Sequence, residues 1–496
     1  MDEEATVGRN HDIEHWDAED VHAWEAGGRK IARRNLIFSI FAEHVGFSVW
    51  SIWSVMVLMM PTNVYHIDAA GKFYLVAMPT LVGSILRIPY TVATAKFGGR
   101  NWTAVSAAVL VIPLLLTMYF MAHPASYTTY MVIGAVAGFG GGNFSSSMTN
   151  INVFYPQRLK GWALGLNAGG GNIGVPAMQL LGLAIIAAMG NKYTGDGKQA
   201  TTLVSVYLAV IVLAAVGAWL FMDNVRNQRA DLSAMGKILS YRDSWVMSVL
   251  YIGTFGSFIG FSFAFGQILQ INFSADLMQQ AEAIADTAAQ NKAIAAVPGK
   301  AALHAAQIAF IGPLLGSLVR PVGGKLADRV GGGKVTLYVF AAMILATGAL
   351  VTAGTLDDHT GGAATSGQMA VYVAAFITLF VLSGLGNGST YKMIPSIFEA
   401  KSKSQDLSRD ERAAWSRNMS GALIGFAGAV GAFGGVLINV VLRMSYVGQA
   451  KSATNAFWVF LCFYVLCAGL TWAVFLRRPA NPAPTPMPRN PVPATV

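Results

Sequence analysis

Apolar residues in this chain follow neither the two-residue alternation of a half-buried strand nor the single stripe of an amphipathic helix; they come in long unbroken runs. Read in windows of about 19 residues, the runs fall near 35–60, 72–95, 101–122, 126–150, 161–190, 200–222, 244–272, 304–327, 333–355, 368–398, 417–443 and 453–477. Each can cross a hydrocarbon core of about 30 Å as a helix. The pattern predicts an all-α membrane protein with twelve transmembrane helices, called here spans one to twelve. Composition agrees. Only 12% of residues are charged, against about 25% in soluble proteins, which excludes a water-soluble globule. The first 34 residues are rich in Asp, Glu and His, so they resemble neither a secretory signal nor a transit peptide, and span one reads as a retained helix.

The basic residues orient the chain. With the N-terminus cytoplasmic, 24 of the 34 Lys and Arg fall on the cytoplasmic side and 7 on the outer side, the asymmetry of the positive-inside rule. Both termini are therefore expected in the cytoplasm, with the chain multi-pass in the cytoplasmic (inner) membrane. The net charge of +9 reflects these loops, and no nucleic-acid partner is implied. Three basic residues remain inside spans: Arg87 in span two, Arg320 in span eight and Lys392 in span ten. One deep acid, Glu43, lies in span one beside His44. An ionisable group near the bilayer centre costs at least about 2.5 kcal/mol, so such groups mark pathways. Cys462 and Cys467 read as packing residues on different faces of span twelve. His11, His15 and His22 are not taken as a metal site. No metal or cofactor is expected, and no Walker loop, His-Glu-x-x-His, Cys-x-x-Cys or nucleophile elbow points to an enzyme.

The chain repeats itself. Gly83-Ser-Ile-Leu-Arg87 and Gly316-Ser-Leu-Val-Arg320 are offset by 233 residues. Gly138-Phe-Gly-Gly-Gly-Asn143 pairs with Gly384-Leu-Gly-Asn-Gly-Ser389 at 246, and Gly165–Gly174 with Gly425–Gly434 at 260. Such drift is what unequal loops between two homologous six-helix halves produce, with the substrate between them. The expected organisation is a cytoplasmic interfacial segment (1–34), a six-helix bundle (35–222), a cytoplasmic connector (223–243), a second bundle (244–478) and a Pro-rich disordered tail (479–496). The Ala-rich stretch 274–303 reads as a short outer helix or a disordered excursion. Glycines 165, 169, 170, 171 and 174 in span five, and 425, 428, 431 and 434 in span eleven, would weaken a soluble helix. In a bilayer they allow close approach, and they are expected to form paired smooth tracks on which the halves rock. Asn167 and Asn172 need not share a face: one is free to donate to substrate while the other bonds across helices.

The loop after each Arg helix, Gly324-Lys-Leu-Ala-Asp328-Arg329 and its first-half copy Ala95-Lys96-Phe-Gly-Gly-Arg100, resembles the cytoplasmic loop motif of the major facilitator superfamily, with Ala95 where Asp328 sits. Further motifs follow in order: Trp16 and Trp24 before Ile31-Ala-Arg-Arg-Asn35, Leu86-Arg87-Ile-Pro-Tyr90, Asn143-Phe-Ser-Ser-Ser-Met-Thr-Asn150, Ala163-Leu-Gly-Leu-Asn167, Thr254-Phe-Gly-Ser-Phe-Ile-Gly-Phe261 and Leu385-Gly-Asn-Gly-Ser-Thr390. From Trp16 to about Arg477 the chain resembles the NarK-type nitrate/nitrite porter family of that superfamily.

The resemblance implies a two-bundle major facilitator fold holding nitrate or nitrite between Arg87 and Arg320, with Asn172, Tyr251, Phe47, Phe144 and Phe255 around the anion and Ala168 in place of a family glycine. A guanidinium suits that task, because its fork can donate two parallel hydrogen bonds to a planar oxyanion. The family includes both proton-coupled importers and nitrate/nitrite exchangers, the latter with few titratable groups in the membrane. Glu43, His44 and Lys392 therefore point to proton-coupled nitrate import. A Glu43–Lys392 ion pair pinning spans one and ten is the structural alternative for these side chains. Exchange without proton coupling is the alternative function, and an anion sensor on a transporter scaffold the alternative of a different class. The partners expected are nitrate, nitrite, protons and the lipid bilayer, with the chain a monomer.

Overall fold

A computed structural model describes residues 11–189, 197–226, 232–360, 363–448 and 451–477; the expected tail 479–496 lies outside them. Among the described residues twelve spans are present. Span one is Arg29–Trp50 continued by Ile52–Met56 after a bend of 42°. Span two is Ala69–Phe97, span three Gly99–Val109 with Val111–Ala122, and span four Tyr127–Ala137 with Phe139–Phe154. Span five is Gln157–Asn172 with Gly174–Met189, and span six Lys198–Phe221. The second half comprises Arg242–Tyr251 with Ser257–Glu282 (seven), Thr287–Ala309 with Ile311–Val330 (eight), Gly332–Thr360 (nine), Ser366–Ser402 (ten), Arg409–Val447 (eleven) and Thr454–Thr471 (twelve). Length and hydropathy alone identify ten membrane-length helices, or eleven with the bent pair. Span four is absent from both counts because its Gly-, Ser- and Asn-rich stretch from Gly138 to Asn150 is buried among other helices and need not be apolar.

One expectation needs correction. The stretch 274–303 is neither a separate outer helix nor an irregular excursion; it extends spans seven and eight beyond membrane length, joined by a turn at 283–286. Ala, Gln and Lys favour helix, and the Asp286 carboxylate caps the new start by accepting from the Ala289 N–H at 2.7 Å.

The N-terminal segment is anchored to the first half. A two-residue strand, β1 (Asp12–Ile13), pairs in parallel with β2 (Asn224–Val225) just after span six. Beside it the buried Asp223 carboxylate accepts from Arg34 (2.6 Å) and Asn35 (2.7 Å). Trp16 and Trp24 pack edge-on against Phe154 and Tyr155.

The two halves meet tightly at one end only. At the end remote from the N-terminal segment, Phe73 stacks on Tyr446 at 5.3 Å and the Arg443 guanidinium lies 4.4 Å from the Tyr74 ring centre. There too the Gln267 and Gln270 amides donate to the carbonyls of Ala69 and Leu58. At the opposite end, where the basic loops cluster, a cavity of about 630 Å³ opens among Lys96, Thr149, Asn152, Lys160, Arg417 and Asn418. A narrower space of about 90 Å³ shares Thr149, Asn152, Arg417 and Asn418 with it and continues to Phe144 and Gly425.

Candidate functional site

Arg87 comes from span two and Arg320 from span eight, and both are buried. Arg87 Nη1 reaches across the halves and donates to the Gly428 carbonyl at 2.8 Å. Its guanidinium carbon lies 4.4 Å from the Phe144 ring centre, 4.9 Å from that of Phe255 and 5.5 Å from that of Trp50. Arg320 Nη2 donates to the Tyr251 hydroxyl at 3.1 Å, and its guanidinium carbon is 5.9 Å from the Phe255 ring centre and 5.4 Å from that of Tyr391. Phe255 therefore lies against both guanidinium groups. Among the described residues Arg87 Nε and Nη2 and Arg320 Nη1 have no hydrogen-bond partner. These are three charge-assisted donors in a place sealed from water, where such donors bind anions far more strongly than in bulk solvent.

Span seven shapes the wall. A single wide helical turn, Ile252–Gly256, follows Tyr251; such turns occur often at functional sites. Tyr251 and Phe255 then stack almost parallel, 9° apart with centres at 5.2 Å. Phe144 is 6.1 Å from Phe255 on one side and 6.1 Å from Phe47 on the other. These aromatic faces restrict the height of the site and exclude water.

The two asparagines of span five separate. Asn167 Nδ2 donates to Glu43 Oε2 at 2.7 Å and also to Ser147. Asn172 is buried, and neither polar atom of its side chain has a partner among the described residues. Asn167 is thus the cross-helix member, leaving Asn172 as the free amide.

Glu43 is fully buried. Its Oε2 accepts from Ser147 Oγ at 2.5 Å and from Asn167, while Oε1 has no partner among the described residues. His44, the next residue, bonds to the backbone of Gly170. Lys392 is elsewhere: it is exposed and pairs with Asp328 at 2.9 Å, one turn from the basic end of span eight. The Glu43–Lys392 pair, the structural alternative for these side chains, is absent: Lys392 is taken up by Asp328 of the loop motif. Arg329 is exposed at the same end.

The glycines divide likewise. A side chain at Gly170, Gly171 or Gly174 would strike Ile40, Glu43 or the His44 carbonyl, all in span one of the same half, whereas Gly165 and Gly169 face open space. In span eleven Gly425 and Gly428 face Thr91 and Arg87 across the halves, while Gly431 and Gly434 admit Tyr251 and Ile252 of their own half. Across the halves only Gly425 and Gly428 of these glycines make contact, and in span five Gly170, Gly171 and Gly174 serve close packing against span one. Reading the sequence missed Tyr391, Trp50 and Ser147. Tyr391 carries a buried hydroxyl without a partner among the described residues and stands beside Lys392, whose charge drew attention to the opposite helix face.

Two six-helix bundles closing on a dry, arginine-lined centre define a secondary carrier for a small anion. The Major Facilitator Superfamily profile matches residues 37–405. The chain is 32% identical over 479 residues to the nitrate/nitrite transporter NarU of Escherichia coli, covering 93% of this chain and 96% of the relative. It is 30% identical over 484 residues to the probable nitrate/nitrite antiporter NarK2 of Thermus thermophilus, covering 95% and 97%. The fold is similar to that of a D-xylose–proton symporter, with a TM-score of 0.60 at 13% identity over 89% of this chain and 97% of the other. It is also similar to that of the nucleoside transporter NupG, with a TM-score of 0.56 at 13% identity over 90% and 100%. This chain belongs to the major facilitator superfamily and, within it, to the NarK-type nitrate/nitrite porters.

Proposed function

We propose that the protein carries nitrate and nitrite across the cytoplasmic membrane by alternating access and imports nitrate together with protons. The observation that carries the anion site is the pair of buried guanidinium groups, one per half, with three unpartnered donors flanking Phe255. Relatives named for nitrate and nitrite over nearly their whole length support the substrate. The basic end of the bundle is the cytoplasmic one by the positive-inside rule, which supports a cavity that faces inward and termini that lie in the cytoplasm. Both arginines come from one chain, which supports a single copy as the carrier.

Nitrate entering against a potential of 100 mV costs about 2.3 kcal/mol per charge, so accumulation needs an accompanying cation. Glu43, buried beside the anion site with one oxygen free, supports proton coupling. The test is nitrate uptake into proteoliposomes with and without an inward proton gradient. Accumulation that follows the gradient supports symport. Entry that instead requires nitrite preloaded inside, regardless of pH, would establish exchange and remove the proton from the mechanism.

A further inference from the structure

The repeat places Glu43 in a specific role. An offset of 208 residues maps Gly46 of span one onto Thr254 of span seven, Phe47 onto Phe255 and Glu43 onto Tyr251. Packing bears this out. Gly46 abuts the Gly140 carbonyl in span four, and Thr254 abuts Gly386 at the corresponding place in span ten. A side chain at Gly171 would strike the Glu43 carboxyl, and one at Gly431, 260 residues on, would strike the Tyr251 ring. Each half therefore seats one polar side chain from its first helix against a glycine of its fifth, near its own arginine. In the second half that group is a phenol, hydrogen-bonded to Arg320. In the first half it is a carboxyl group, close enough to interact electrostatically with both Arg87 and Arg320.

We propose that Glu43 is the counter-charge of the empty carrier, taking up one proton as each anion binds and releasing it as the anion leaves, so that net nitrate uptake is electroneutral. This rests on the proton-coupled reading above and adds its stoichiometry. With the site empty, two guanidinium ions and the Glu43 carboxylate leave one net positive charge. With nitrate bound and the carboxylate converted to the acid, two guanidinium ions, one anion and a neutral carboxyl again leave one. The proton is the only species that changes partner. Equal charge in the two reorienting forms means that the work the membrane field does on the loaded carrier moving one way is cancelled by that on the empty carrier moving back.

The groups facing Glu43 allow this assignment. Span four presents Ser147 and span five Asn167, neither of which titrates. Span one adds His44, which is turned to the Gly170 backbone. Spans two and eight contribute Arg87 and Arg320, and spans seven and ten the hydroxyls of Tyr251 and Tyr391. Among these groups Glu43 is the only carboxylate, and Lys392 is occupied with Asp328.

Proteoliposomes in which valinomycin and potassium set the potential test the proposal, with the nitrate accumulation ratio followed under a fixed inward proton gradient. That ratio is expected to change less than twofold between zero and 100 mV inside-negative, with one proton entering per nitrate. A single uncompensated charge would instead shift the equilibrium accumulation ratio about 50-fold, and that result would overturn the proposal. Glu43→Gln should lose gradient-driven accumulation while labelled nitrate still exchanges for internal nitrate, and Glu43→Asp should recover part of the accumulation. Accumulation by Glu43→Gln at the wild-type rate would also overturn it. The potential measurement uses the unaltered protein, so it stands even where a variant misfolds. A wild type that accumulates nitrate only against preloaded nitrite would fail the symport reading itself, whereas steep voltage dependence with intact proton coupling would fail this inference alone.

Discussion

At the scale of single residues, the site separates charge from shape. Lysine in place of Arg87 or Arg320 keeps the charge but loses the planar fork, and with it paired donation to a flat oxyanion. Arg87→Lys and Arg320→Lys are each expected to lower nitrate uptake by at least about 100-fold, the loss of two charge-assisted bonds at about 1.5 kcal/mol each, in proteoliposomes matched for protein content. Uptake within a few-fold of wild type would contradict recognition by the fork. Tyr251→Phe removes the hydroxyl that accepts from Arg320 Nη2 and frees a buried donor, so it should weaken nitrate affinity about tenfold, read as a raised half-saturation concentration. Lys392→Gln, by contrast, breaks an exposed pair with Asp328, worth about 1 kcal/mol or less. It should leave the proton dependence of uptake intact. Arg87 and Arg320 were legible because charges are rare inside apolar runs and because both follow a Gly-Ser pair. The partner of Lys392 was not, since the reach of a long side chain depends on where two helix ends come together.

At the scale of helices, the glycine pattern was conspicuous in the sequence, but its targets emerge only from packing. At Gly171 and Gly431 a helix gives up its side chain to admit Glu43 and Tyr251 respectively. Gly171→Ala should therefore displace the carboxyl and impair gradient-driven accumulation more than nitrate–nitrate exchange. Gly431→Ala should push the Tyr251 ring toward Phe255 and impair both, and equal effects of the two variants in both assays would refute the division. Apolar periodicity located twelve spans and missed where they extend. Hydropathy can mark the membrane-crossing part of spans seven and eight, but the continuation through 274–303 rests on helix propensity and the Asp286 cap, which an apolar window does not register. Span four shows the converse: its stretch from Gly138 to Asn150, rich in Gly, Ser and Asn, lies among buried neighbours and needs little apolar surface of its own.

At the scale of the whole molecule, the repeat announced two halves, and the contacts between them show which end is shut. The closed end is held by a few separable interactions: the Phe73–Tyr446 stack, Arg443 over Tyr74, and glutamine amides on the Ala69 and Leu58 carbonyls. No residue pattern marks these as a gate, because their residue types are ordinary and their meeting depends on how the halves tilt. An aromatic stack contributes about 0.5–1.5 kcal/mol and an exposed cation–π contact about 0.5–1 kcal/mol. Phe73→Ala with Arg443→Ala should thus shift the balance toward the outward-open state by roughly 5- to 60-fold, taking tenfold as about 1.4 kcal/mol. The shift can be read on a cysteine placed at Thr80, a buried position packed near Gly435 of span eleven, with Cys462 and Cys467 replaced. A thiol reagent that cannot cross the membrane, added from outside, should label it faster when the two contacts are removed, and saturating nitrate should alter that rate only while both Arg87 and Arg320 are intact. If labelling is unchanged, the outer contacts do not set the inward-facing balance. If nitrate alters the rate without the arginines, the anion acts somewhere other than between the halves.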